Sequence, residues 1–379
     1  MEGAEKVGWE GCKDQKNGRY KVIFIQKNKA AYYGCFVFLL HLGMKGILLL
    51  LFTLIASQSY GQSIIWEKKF TGGKIHVNIN KTADSSFIVS GTSNITGNYP
   101  AHVAKFAWDG NVIWQKTGKI LVTGEQDIQQ ISDGGYLFSG VKRNFSSPNV
   151  WDIIIQKLNP AGDMVWHQVY STPLGYDYTN RLFITGNSDI INLGTTEDNT
   201  YHYYSLRRTD SLGNTLWFKN YAKGYNTLAS NMVLNRQGNL VLAGSSSIGN
   251  VGFPYYHPYL IEVNLNGDSI RSNKIIVKDN DYNEIVERFF NNIEQTTDGG
   301  YIFGGNMDSA NYHIGFVVKT DSLLEKQWIY FHQPEFPNSQ VVSRIAQMQD
   351  STYLLLSSVE DNFGNKIIIT RISQTGQLI

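Results

Sequence analysis

The sequence predicts an all-β protein, a six-bladed β-propeller with four antiparallel strands per blade. Three observations predict it. Three short phrases recur six times in a constant order. Each repeat holds four runs of strand character separated by turn residues. The two ends of the repeat region also complement each other as parts of one blade. Self-similarity at a period of 40–50 residues, with four strands per period, belongs to propellers, whereas a β-helix has a much shorter period.

The first phrase reads GNVIWQKTG from Gly110, GDMVWHQVY from Gly162 and GNTLWFKNY from Gly213, with weaker copies GDSIRSNKI from Gly267 and LEKQWIYF from Leu324. Its tryptophans are Trp66, Trp114, Trp166, Trp217 and Trp328, and Arg271 stands in the remaining slot. The second phrase, exemplified by SDGGYLFSG and TDGGYIFGG, ends at Gly91, Gly140, Gly194, Gly244, Gly305 and Ser358. The third is an apolar run, a basic residue and a turn, as in WDIIIQKLNPAG and IGFVVKTDSLL.

In one repeat DIQQIS, GYLFSGV, DIIIQKLN and MVWHQVY read as strands a, b, c and d, counted outward from the axis. Their alternation and their β-branched and aromatic residues suit strands half-buried between stacked sheets. Asp-Gly, Asn-Gly and Asn-Pro-Ala-Gly supply tight turns. The chain stops at Ile379, where the next strand d would begin, and IIWEKKF around Trp66 supplies such a strand at the other end. Residues Ile64–Phe70 are therefore expected to pair with Lys366–Ile372 and close the ring, because pairing removes a bare strand edge. Each tryptophan is read as packing between blades, with a sugar platform as the alternative.

Ahead of the repeats, Met44-Lys45 precedes the apolar run GILLLLFTLIA and the small-residue exit Ser59-Tyr60-Gly61. This is the pattern of a secretory signal peptide. The expected organisation is an over-extended, disordered start over 1–43, a signal peptide over 44–61 and the propeller over 62–379, secreted, periplasmic or on the cell surface. Joining Tyr32–Ala56 into one membrane anchor is the rival reading, and it would place Lys45 and His41 in hydrocarbon at a cost. Both cysteines, Cys12 and Cys35, precede Met44, so the propeller itself offers neither a disulfide nor a thiolate metal site. With 25 basic and 28 acidic residues beyond position 61, it offers no electrostatic basis for nucleic-acid or membrane-surface binding.

The phrases DGGY-(I/L)-F-(S/G)-G and K-(L/T)-(N/D)…G…W resemble those of secreted propeller-repeat proteins of Bacteroidetes-type bacteria, over nearly all of 62–379. That resemblance implies an exported propeller; such proteins often carry a C-terminal sorting domain, and here the repeats are expected to run to Ile379. The G-x-x-x-W element also looks like the tryptophan-docking repeat of quinoprotein-type propellers, an architectural likeness only. Such a likeness says nothing of activity.

Catalytic signatures are sparse. No G-x-S-x-G, H-E-x-x-H or P-loop pattern occurs. Asp279–Glu284 lacks the twelve-position calcium loop. His102, His202, His257 and His313 begin strand c. That strand is third from the axis, roughly 10 Å outside strand a, so copies on different blades lie too far apart to share a metal. No metal and no cofactor is expected.

Glu125, Asp127, Asp177 and Glu284 enter or border the innermost strands, where a carboxylate pair about 5–9 Å apart would suit glycoside hydrolysis. The a–b and c–d links are tight turns, whereas the d–a and b–c links are long and share the opposite face. Trp151, Tyr178, Tyr201, Tyr255 and Tyr256 lie on or next to those long links, and loops on a rigid scaffold commonly carry binding aromatics. The expected function is an exported, monomeric binding or interaction propeller whose long-loop face contacts an extracellular carbohydrate, peptide or protein. The alternatives are a carbohydrate- or peptide-processing enzyme with acids at the channel mouth, and a structural module of an envelope assembly.

Overall fold

A computed structural model describes the backbone of residues 10–14, 19–27, 62–70, 78–92, 101–117, 123–144, 150–172, 175–198, 200–225, 227–247, 256–277, 286–309, 312–332, 339–361 and 364–379. A hairpin of β1 (Glu10–Asp14) and β2 (Arg19–Lys27) precedes β3 (Gln62–Phe70). Blade 1 comprises β4 (Asn78–Lys81), β5 (Phe87–Thr92), β6 (Ala101–Phe106) and β7 (Val112–Thr117). Blade 2 comprises β8 (Thr123–Gln130), β9 (Tyr136–Asn144), β10 (Val150–Leu158) and β11 (Met164–Tyr170). Blade 3 comprises β12 (Asp177–Ile184), β13 (Ile190–Glu197), β14 (His202–Thr209) and β15 (Thr215–Gly224). Blade 4 comprises β16 (Thr227–Leu234), β17 (Leu240–Ser246), β18 (His257–Val263) and β19 (Ser269–Lys274). Blade 5 comprises β20 (Val286–Gln295), β21 (Tyr301–Ser309), β22 (Tyr312–Thr320) and β23 (Lys326–Phe331). Blade 6 comprises β24 (Ser339–Gln347), β25 (Tyr353–Asp361) and β26 (Gly364–Ile372). Every blade is an antiparallel meander, and the six form a ring. The fold is a six-bladed β-propeller.

The tight turns repeat one device. In Asn159–Asp163, for example, Asn159 N donates to Asp163 O and Gly162 N donates to Asn159 O, at 2.8 and 2.9 Å. This is a type I turn followed by a left-handed residue, which matches the twist of a hairpin. Glycine holds the left-handed position in most turns, but Ser85, Ser188, Leu324 and Ser351 hold it in four, at φ 62–70°. The turn therefore does not demand glycine everywhere.

What does demand it is tryptophan. A Cβ on Gly162 would lie 2.6 Å from the Trp114 ring of the preceding blade, and Gly213, Gly267 and Gly376 stand in the same relation to Trp166, Trp217 and Trp328. Trp114 Nε1 donates to Pro160 O and Trp328 Nε1 to Gln374 O, both at 3.0 Å. The tryptophans thus pack between blades, each ring lying flat against the next blade's outer turn.

Blade 4 is the exception, and the structure explains it. In the other five blades a basic residue of the third strand pairs with an a–b turn aspartate: Lys105–Asp84, Lys157–Asp133, Arg208–Asp189, Lys319–Asp298 and Arg371–Asp350. Blade 4 carries Glu262 at that position, hydrogen-bonded by Asn239 at 2.8 Å, and Arg271 in the tryptophan slot pairs with Glu262 at 2.9 Å. With no indole to receive, the following turn carries Leu324, which is wholly buried and joins the core shared by blades 4 and 5.

Hydrophobic burial lies between blades. Each of five buried clusters spans one pair of neighbouring blades, from blades 1 and 2 to blades 5 and 6. Such stacking buries both faces of a sheet that alone has no core.

The chain ends correct the expected closure. β3 pairs with β2 from Tyr20↔Phe70 to Lys27↔Gln62, and not with β26. The segment Arg19–Lys27, expected to be disordered, forms a strand around the apolar run Val22–Ile25 of RYKVIFIQK and satisfies the β3 edge locally. The C-terminal end of the β26 edge is met by the residues that follow it, through the bridge Ile372↔Leu378 and the bond from Ile379 N to Arg371 O. The side chain of Trp66 and residues 28–61, the signal-peptide segment included, lie outside the described residues. Among the described residues, no helix is long and apolar enough to cross a membrane.

Candidate functional site

The innermost strands of blades 3 to 6 share a β-bulge: the register shifts between Thr179 and Arg181, Ala229 and Asn231, Phe290 and Asn292, and Val342 and Arg344. A bulge re-aims the following side chain. It also presses strand a against strand b, where a Cβ on Gly194 would lie 2.0 Å from Tyr178 O and one on Gly244 2.1 Å from Leu228 O. This close approach leaves no room for a Cβ at Gly194 and Gly244, whereas Ser357, opposite Val342, takes the matching position of blade 6.

The residue at this register is polar in every blade: Asn78, Asp127, Arg181, Asn231, Asn292 and Arg344. Each stands seven residues before the left-handed residue of its a–b turn. Two of these residues, and Gln129 two places beyond Asp127, reach across to the next blade. Asn78 Nδ2 donates to Asp127 Oδ1 at 3.0 Å, Gln129 Nε2 to Leu182 O at 2.6 Å, and Asn292 Nδ2 to Ile345 O at 3.0 Å.

Asp127 is 0% exposed and its acceptor sites are occupied. Beyond Asn78 it accepts from Gln129 Nε2 and Leu182 N at 3.1 and 2.8 Å, and Arg181 Nη1 lies 3.5 Å away. Arg344 is exposed to solvent in the channel yet walled in by the ring. Desolvation, and then the like charge of Arg181, hold its guanidinium below the ordinary arginine range, opposed by Asp127 and Glu294. Solvent thus reaches Arg344, which feels Arg181 and the two acids Asp127 and Glu294, while Asp127 itself is sealed.

The expected acid pair is placed otherwise. Asp177 is 2% exposed and accepts from Thr172 N, Thr172 Oγ1 and Thr196 Oγ1 at 2.8–3.0 Å, so it anchors the link into β12. Burial raises its carboxyl above the usual range despite these donors. With Asp127 and Asp177 both sealed, the described carboxylates expected at the channel do not form a solvent-facing pair. Glu125 lies on β8 with its side chain outside the described residues, as is all of Glu284 and Tyr255.

The described long-link aromatics are half-buried, namely Trp151, Tyr178, Tyr201 and Tyr256. Tyr178 stacks parallel to Tyr176 at 6.3 Å between centroids, and Tyr201 meets exposed Tyr225 at 5.0 Å. Lys223 Nζ lies 4.0 Å from the Tyr201 ring centre. These residues belong to the links flanking blade 3, on the face opposite the tight turns. His102 Nδ1 bonds Thr117 Oγ1 at 2.5 Å and His202 faces Glu197 at 3.4 Å. Among the described residues, no group of three metal-ligating side chains is assembled.

Sequence reading missed Arg181, Arg344, Glu294, Tyr176 and Tyr225. The arginines carried a usable signal, a polar residue followed by Ile, Leu or Met at one fixed offset before each a–b turn.

No family model matches this chain, and no curated protein matches it in sequence. Solved structures match its fold. An ulvan lyase of polysaccharide lyase family PL25, solved with bound -[GlcA(1-4)Rha3S]-, aligns with TM-score 0.53 and 10% identity over 80% of this chain and 81% of its own. A puromycin hydrolase complexed with PGG aligns with TM-score 0.50 and 9% identity over 83% of this chain and 48% of its own. The GH93 α-L-arabinofuranosidase of Fusarium graminearum aligns with TM-score 0.47 and 11% identity over 79% of this chain and 92% of its own. At such identities the likeness is one of fold.

Proposed function

We propose that this chain is an exported binding propeller that holds a carbohydrate on its long-loop face, above the mouth of the central channel. The observation that carries the reading is the aromatic set beside blade 3: the parallel Tyr176–Tyr178 stack and the Tyr201–Tyr225 pair with Lys223. Flat rings on a rigid scaffold offer contact area at low entropic cost, and their hydroxyls and a nearby ammonium suit a polyhydroxylated ligand. The ulvan lyase adds fold-level support, as a propeller solved with a saccharide. A glycan array with the purified protein, repeated with Tyr178→Ala and Tyr225→Ala, tests the proposal. Binding that both variants weaken supports it; binding that neither weakens places the ligand elsewhere.

A second reading, polysaccharide processing, is favoured by the same fold likeness. It needs an accessible acid, and Asp127 and Asp177 are sealed. Turnover of an array-positive glycan that Glu125→Gln abolishes would establish it. Export is tested separately: expression from Met44 gives a mature protein beginning near Gln62, read by N-terminal sequencing.

A further inference from the structure

The residue four places after the tryptophan slot helps tie an outer strand to the next blade. Tyr170 and Tyr221 stand there in blades 2 and 3, and their hydroxyls donate to Gly213 O and Gly267 O of the following turn at 2.7 and 2.6 Å. Ile275 stands there in blade 4, buried in the core shared with blade 5. In blade 5 the residue is His332, also buried. Its backbone N donates to Gly315 O at 2.8 Å, and its Nε2 lies 3.2 Å from Thr370 Oγ1 of blade 6. Its Nδ1 is buried and meets no hydrogen-bond partner among the described residues. A neutral imidazole carries one N–H, and the Thr370 hydroxyl can serve either tautomer. An imidazolium carries two, so protonation would leave a charged N–H buried with no acceptor.

The strands around His332 offer such a charge no acid. Gly315 of β22 packs against both His332 and Val342 of β24, the Tyr330 ring of β23 lies 6.2 Å away, and Thr370 belongs to β26. The titratable and charged residues of these strands are His313 and Lys319 on β22, Lys326 and Tyr330 on β23, Arg344 on β24, and Lys366 and Arg371 on β26; none of the four strands contains Asp or Glu. Lys319 and Arg371 are already paired with the turn acids Asp298 and Asp350. Burial holds the His332 imidazole below its ordinary range. Blade 6, in turn, leans on this joint. Val103, Ile155, Leu206, Leu260 and Val317 occupy one repeat position, each lies in the joint with the following blade, and all are 0% exposed. Ile369 holds that position in blade 6 and is 58% exposed. Blade 6 also has three strands where the other five have four, and its buried cluster is the one shared with blade 5.

We propose that the joint between blades 5 and 6 is an acid-sensitive latch, closed while the His332 imidazole is neutral and released, with blade 6, when that imidazole takes a second proton. The tyrosines in the same place of blades 2 and 3 stay protonated throughout, so their joints carry no such switch. The sign follows from linkage. An opened joint lets the imidazole protonate near its ordinary value of about 6.5, whereas the closed joint holds it lower. The latch therefore contributes fully above about pH 6.5 and loses strength as pH falls toward the depressed folded value. The proposal goes beyond the binding reading and is independent of what the long-loop face holds.

The test is amide hydrogen exchange of the full chain at about pH 7.5 and about pH 5.5, corrected for the intrinsic rate. Protection of β24, β25 and β26 should fall about three- to tenfold at the lower pH relative to blade 3, tenfold being roughly the ceiling for one group that titrates near 6.5 when released. His332→Gln keeps a donor for Thr370 and cannot ionise, and His332→Tyr supplies the side chain of blades 2 and 3. Each should abolish the fall. His102, held low by burial likewise, lies in blade 1, so His102→Gln should leave the fall intact. No fall in blade 6, an equal fall in blade 3, a fall that persists in either folded His332 variant, or one that His102→Gln removes overturns the proposal.

Discussion

Trp114 and Gly162 form the joint between blades 1 and 2: the indole covers the turn so closely that a Cβ on Gly162 would sit 2.6 Å from its ring. The same glycine has φ +79°, so two independent constraints meet at one residue. Gly162→Ala is expected to cost about 2–4 kcal/mol, a left-handed penalty added to an overpacked contact. Gly238→Ala is the control, because Gly238 has φ +81° and nothing within 4 Å of its added Cβ. It should cost only about 1–2 kcal/mol. Denaturant unfolding of both variants measures the difference, and equal losses would show that the indole contact contributes nothing.

The blade 4 exception predicts a coupling. Arg271→Trp alone should destabilise, because Leu324 fills the space and Glu262 loses its partner. Leu324→Gly alone should also destabilise by opening a cavity. Combined, the two changes should recover at least about 1 kcal/mol relative to their sum. A double-mutant cycle reads this directly, and strict additivity would mean that the slots act independently.

The repeated ion pair should differ in strength with burial. Lys319 is 1% exposed and Lys157 24%. Asp298→Ala strands a buried ammonium, and should cost about 3 kcal/mol, although Thr320 O and Gln327 retain bonds to it. Asp133→Ala should cost under about 1 kcal/mol, since that pair is half in water. Equal effects in urea melts would remove burial as the deciding variable.

A pH dependence accompanies the exposed pair. The hydrogen bond from Lys157, helped by Gly135 N, holds the Asp133 carboxyl below its usual range. The folded value is thus below the unfolded one, so the stabilisation is present above about pH 4 and is lost as pH falls through the depressed folded value. Lys157→Met should flatten the loss of stability between about pH 4 and pH 2 without changing its sign, because Asp84 and Asp350 are depressed likewise. Tm measured against pH for both proteins checks this.

On the long-loop face, Tyr225 is 48% exposed. Tyr225→Ala should leave Tm nearly unchanged while weakening captured glycan by about 1–2 kcal/mol. Loss of Tm with affinity intact would assign the ring to packing.

The repeat, its four strands, the turn glycines and the tryptophan joint were all legible along the chain. Each is a local matter: alternation sets which face is buried, Asp-Gly sets a turn, and one period places Trp114 over the next blade's turn. Even the odd blade was visible, as Arg271 in a tryptophan slot and Leu324 in a glycine slot, although nothing linear connected the two. The partner of β3 was not legible, because any strand-forming segment can satisfy a bare edge, and RYKVIFIQK carries the apolar run Val22–Ile25 as Lys366–Ile372 carries Ile367–Ile369. Nor was the burial of Asp127 and Asp177, which is decided by the donors that surround them. The channel cluster shows the limit most plainly. Arg181 and Arg344 are 163 residues apart in the chain, and each is an ordinary strand arginine in its own repeat. Only the curvature of the whole ring, summed over three blade interfaces, brings their charges together across the axis. No local pattern encodes that sum, because it depends on how every intervening blade packs.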